Sequence, residues 1–78
     1  MELTIDCRNG MAAIHAQLAE TLGFPSWYGN NLDALHDCLT TLTQSVQLTL
    51  LWPELLPGLK KVLTDSAEEN HNLTVLFQ

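Results

Sequence analysis

Apolar and polar residues alternate at the start of the chain, with Leu3 and Ile5 on one side of residues 2–7 and Thr4 and Asp6 on the other. A period of two marks a half-buried strand. Asn9 and Gly10 interrupt it, and Asn9 carries the side chain of a helix N-cap. From Met11 the spacing changes: Met11, Ile14, Leu18 and Leu22 lie on one face of a helix that stops at Gly23. Residues 23–30, rich in Gly, Pro and aromatic side chains, read as a loop. A second helix follows, capped by Asn30 or Asn31, with Leu32, Leu35, Leu39 and Leu42 inward. Alternation returns over residues 46–52, placing Val46, Leu48, Leu50 and Trp52 on one face of a strand that the segment Pro53 to Pro57 stops. A third helix from about Gly58 to Asn70 buries Leu59, Val62, Leu63 and Ala67, and Leu73 to Phe77 form a last strand.

The predicted order is β-α-α-β-α-β. Strands separated by helical crossovers imply a parallel sheet, and right-handed crossovers added in one direction stack every helix on one face. The expected architecture is therefore α/β: one two-layer domain over residues 1–78, a three-stranded parallel sheet with its helices on one face. Folding at this length buries only roughly 60% of the unfolded chain's surface. A wide internal chamber would use up too much core, so function is expected on the outside.

Charge narrows the partners. Nine Asp and Glu oppose three Lys and Arg (Arg8, Lys60, Lys61), for a formal net charge of −6. That is no footprint for neutralising phosphates, and direct nucleic-acid binding is not expected. The field of such a surface instead speeds encounter with a basic partner. Cys7 and Cys38 lie in apolar stretches and are expected as free buried thiols. Met1 runs into Glu2 and Leu3 without a basic or apolar leader, and no apolar run approaches the ~20 residues of a membrane span. A cytoplasmic location is expected. His15, His36 and His71 show no local metal spacing, so neither metal nor cofactor is expected. His36 and Asp37 are adjacent on a helix and do not face each other, and no nucleophile accompanies them. The chain is not expected to be an enzyme.

The informative stretch is Trp27 to Thr40. On a helix whose leucines face the sheet, Asp33, His36, Asp37 and Thr40 fall at i, i+3, i+4 and i+7 on the opposite face. Asp33 also suits the helix start, where the dipole favours a negative charge; Asp37 has less structural reason to be acidic. Just before this helix Trp27 and Tyr28 precede Gly29, and aromatic anchors of this kind dominate interface hot spots. One of the two rings, Tyr28, is expected in the core. The aromatic loop and acidic stripe together make a surface suited to Arg, Lys and protonated His in a phosphate-binding cleft.

The run from Leu22 to Thr40, with its aromatic-Tyr-Gly-x-Asn-Leu-Asp-Ala-Leu-x-Asp-Cys-Leu pattern, resembles the segment that defines the barstar family. The order of elements, the length and the terminal Leu73-Thr74-Val75-Leu76 strand also agree. The resemblance implies an intracellular bacterial inhibitor, monomeric when free, of a barnase-like, guanyl-preferring extracellular ribonuclease, in an antitoxin or immunity role. It implies insertion of loop and second helix into the nuclease cleft, with acidic side chains at the substrate phosphate positions. On this chain Asp37 matches the dominant acid, Asp33 the second helical acid, and Trp27 an aromatic that stacks on the nuclease's catalytic His. Gly29, Asn31, Thr40 and Leu42 match further contacts, and Asp65 on the third helix a peripheral acid. Three positions depart from the pattern: His36 and Leu42 stand where Trp is common, and Asp65 replaces a longer Glu. The lost aromatic area implies weaker binding or a different nuclease. An alternative is a module of this fold for another toxin or regulatory protein.

Overall fold

A computed structural model describes residues 1–78. The chain runs β1 (Glu2–Asp6), α1 (Met11–Leu22), α2 (Leu32–Thr40), β2 (Val46–Leu51), α3 (Pro57–Glu69) and β3 (Leu73–Phe77), with short 3-10 turns at Cys7–Asn9 and Pro53–Leu55. The three strands are parallel in the order β1-β2-β3. The expected two-layer α/β architecture is the one observed. No helix is long and apolar enough to cross a membrane.

Register sorts the side chains. Leu3 pairs with Leu48 and Leu48 with Val75, while Ile5 pairs with Leu50 and Leu50 with Phe77. Because neighbours in register share a face, these rows make the inner side of the sheet. Ile14 and Leu18 of α1, Leu35 and Leu39 of α2, and Leu59 and Leu63 of α3 complete one core with Ile5, Leu48 and Leu50. The opposite rows, Glu2–Gln47–Thr74 and Thr4–Thr49–Leu76, have no helix over them.

Four local expectations change. Asn9 does not cap α1: Asp6 accepts the Arg8 N–H at 2.9 Å and winds residues 7–9 into a 3-10 turn, leaving Gly10 at φ 85 as the N-cap. Trp52 does not extend the inner face of β2. The strand ends at Leu51, and Trp52 adopts a left-handed conformation that turns its ring outward, 48% exposed. Leu42 lies beyond the end of α2. On α3, Val62 and Ala67 are only half-buried, and Ser66 is the fully buried third-turn residue.

The Ser66 hydroxyl has no hydrogen-bond partner. A desolvated, unpaired hydroxyl is a cost that a methyl group avoids. Ser66→Ala is expected to raise stability by up to about 1 kcal/mol, whereas Leu39→Ala should lower it by about 2–5 kcal/mol through the cavity it leaves. Urea unfolding of both variants checks this; a clear loss in Ser66→Ala would mean that the hydroxyl has a partner.

Candidate functional site

α1 ends where Gly23 takes the left-handed conformation (φ 69) and the Phe24 N–H returns to the Ala19 carbonyl at 3.0 Å. The chain then turns again, with the Tyr28 N–H on the Pro25 carbonyl at 2.9 Å. Tyr28 goes inward: its ring packs 4.9 Å from Phe24, and its hydroxyl lies 2.5 Å from Nδ1 of buried His15. Burial pushes the phenol up to about 12 and the imidazole below its ordinary value. Both groups are therefore neutral at pH 7, and a neutral hydrogen bond joins them. Trp27, one residue earlier, is 79% exposed. The buried tyrosine fixes the loop and leaves the indole in solvent.

Asn30 at φ 52 makes the last bend, and the Asn31 side chain accepts the Ala34 N–H at 2.8 Å to start α2. A Cβ on Gly29 would meet the Asn31 amide nitrogen at 2.9 Å, so a glycine here keeps that cap in place. With Leu35 and Leu39 fully buried, the 3.6-residue period turns Asp33, Asp37 and Thr40 away from the sheet. Both acids are exposed. Neither forms a salt bridge within the chain. The Thr40 hydroxyl donates back to the carbonyls of His36 and Asp37, at 2.9 and 3.1 Å.

His36 sits on the flank of α2 that meets α3. Its Nε2 contacts the Glu69 carboxylate at 2.5 Å. Helical spacing puts Val62, Asp65 and Glu69 along one flank of α3, and the His36 contact shows that this flank faces α2. Asp65 is thus near the stripe, though it also pairs with Lys61 at 3.2 Å. Leu42 lies beyond the end of α2, half-buried against the core, and its carbonyl accepts the side-chain amides of Asn70 and Asn72 at 3.0 and 3.1 Å. A second bond from Asn70, to the Leu39 carbonyl at 3.0 Å, closes the C-terminal end of α2.

The loop therefore presents an exposed indole and α2 two unpaired carboxylates, while Asp65 and Glu69 on the adjoining flank of α3 are each paired within the chain. A family model described as Barstar (barnase inhibitor) matches residues 1–78. The chain belongs to the barstar family. It is also 46% identical over 41 residues to a protein named "Putative ribonuclease inhibitor YrdF" from Bacillus subtilis (strain 168). That match covers 50% of this chain and 45% of the relative, so it spans about half of each.

The residues that the family pattern singles out thus separate into two groups. Trp27, Gly29, Asn31, Asp33, His36, Asp37 and Thr40 lie on the loop and α2, while Asp65 lies on α3 and Leu42 beyond the end of α2. Glu69 was not read from the sequence, because only the packing of α2 on α3 makes it a neighbour of His36. The His15–Tyr28 pair was missed too; the signal available was a histidine next to Ile14 on the apolar face of α1. Burial raises both Cys7 and Cys38 above the usual thiol range, which keeps them protonated and weakly nucleophilic at neutral pH. Cys7 is buried and Cys38 half-buried, and neither is in a disulfide.

His15 makes the loop anchor pH-dependent. Its folded pKa lies below the ordinary 6.5, so the unfolded chain binds the proton more readily. Its contribution to stability is complete above about pH 6.5 and is lost as pH falls through that value towards the lower folded pKa. Urea unfolding at pH 7.5 and 5.5 should show the loss, and His15→Gln should flatten it. An unchanged slope in that variant would assign the pH dependence to other groups.

Proposed function

We propose that this chain is a non-catalytic, intracellular inhibitor of a barnase-like, guanyl-preferring extracellular ribonuclease, and that its loop and α2 cover the enzyme's active-site cleft. One observation carries the reading: Asp33 and Asp37 are exposed and unpaired, and the loop that leads into their helix carries an indole that is 79% exposed. Carboxylates without partners in their own chain are available to a cationic cleft. They lose hydration on binding, and only cations placed opposite offset that cost. In this reading Asp37 meets the phosphate site, Asp33 a second cation, and Trp27 stacks on the catalytic histidine. Gly29, Asn31 and Thr40 supply backbone shape, and His36, Leu42 and Asp65 border the contact. The net charge of −6 steers the encounter.

The His36–Glu69 pair favours a second reading in which the same face meets a different basic toxin. An imidazole tied to a carboxylate offers less stacking area than the Trp common at that family position.

Titration of the protein into a barnase-like nuclease, with RNA cleavage as the readout, should abolish activity near equimolar ratio. Undiminished cleavage at large excess would remove this enzyme class as the target. Truncating a desolvated charge costs about 2–5 kcal/mol, against about 0–1 kcal/mol for a solvated pair. Asp37→Ala should therefore weaken binding at least about thirtyfold, and Asp65→Ala only a few-fold; equal losses would mean that the contact lies elsewhere. Raising salt should slow association steeply and change dissociation little. A flat association rate would remove the steering argument.

A further inference from the structure

The carboxyl end of the sheet holds a feature that the inhibitory face does not use. Trp52 lies in the left-handed region at φ 59 and ψ 48, an outlier for a bulky side chain. Such strain persists only where the surroundings over-determine it, and it gathers at binding sites and clamps. Here the surroundings are explicit. Buried Pro53 follows, and the Leu55 N–H bonds the Trp52 carbonyl at 3.1 Å. The Arg8 guanidinium lies 5.2 Å from the centre of the indole ring. Asp6 holds Arg8 in turn, with Nε at 3.0 and 3.1 Å and Nη2 at 2.7 Å from its carboxylate oxygens. The indole is thus fixed in position, yet it remains half in solvent.

Beside it opens a depression of about 490 Å³ lined by Leu51, Trp52, Glu54 and Gln78. The depression lies beyond the carboxyl end of β2, next to the residue that follows β3. The lining offers an aromatic face, an aliphatic wall, a carboxamide and one carboxylate. Arg8 touches the indole, but Asp6 neutralises it and it is not among the lining groups. An anion would meet Glu54 and the field of a chain of net charge −6. A neutral apolar guest would desolvate Glu54 without replacing its hydrogen bonds. A guanidinium answers both groups, because it stacks flat on an indole and donates in parallel to a carboxylate.

We propose that Trp52 and Glu54 form a second binding site, distinct from the α2 face, that receives an arginine side chain from a basic segment of a protein partner. An NMR titration of the ¹⁵N-labelled chain with a capped Gly-Arg-Gly peptide tests this, with capped Gly-Gln-Gly as the neutral control and Trp27→Phe to assign the two indole signals. The arginine peptide should shift the Trp52 indole N–H and the Glu54 amide saturably. Glu54→Gln should weaken its binding at least fivefold, and the neutral peptide should leave both signals in place. Because Glu54 is exposed on a surface turn, its replacement leaves the core untouched. Shifts that are absent, equal in Glu54→Gln, equally strong with the neutral peptide, or confined to Asp33 and Asp37 would overturn the proposal.

Discussion

The buried contact between the Tyr28 hydroxyl and His15 Nδ1 ties the loop to α1, and the geometry of the acidic face depends on it. Side chains on successive loop residues point in different directions, so committing Tyr28 to the core leaves Trp27 outside. The same commitment sets where Asn31 begins α2 and hence which way Asp33 and Asp37 point. Both members of the contact are neutral at pH 7 because burial disfavours their charged forms. A loop held by burial and a neutral hydrogen bond is insensitive to salt, whereas the surface it presents is not.

The charges follow a complementary pattern. Arg8 is held by Asp6, Lys61 pairs with Asp65, and Lys60 lies over the Phe77 ring at 5.2 Å. Each obligate cation therefore has a neighbour in its own chain, and none is left for Asp33 or Asp37. Like charges one turn apart destabilise an isolated helix slightly. Here α2 is held instead by buried Leu35 and Leu39, by the Asn31 cap and by Asn70 at its other end. A helix secured from inside and at both ends can carry an uncompensated acidic outer face.

The fold was legible in the sequence because burial has a period. Strand positions such as Leu3, Ile5, Leu48 and Leu50, and helix positions such as Ile14, Leu18, Leu59 and Leu63, all sort by spacing. The exposure of Asp33 and Asp37 followed from the same arithmetic once Leu35 and Leu39 faced inward. Less legible were positions where two local rules compete. Asn9 has a capping side chain, but Asp6 reached the backbone first and left Gly10 as the cap. Trp52 continues the alternation of β2, but the strand stopped one residue earlier and a left-handed turn reversed its direction.

What the sequence by itself determined is thus the set of elements, their order, the inward faces and the acidic outer stripe of α2, all of which depend on neighbours within a few residues. Tertiary structure alone decided that Glu69 meets His36, that Asn70 closes α2 from another element, and that Arg8 stands over Trp52. Those contacts join residues far apart in the chain. Their distances depend on how helices and strands cross in space, which no period along the chain encodes.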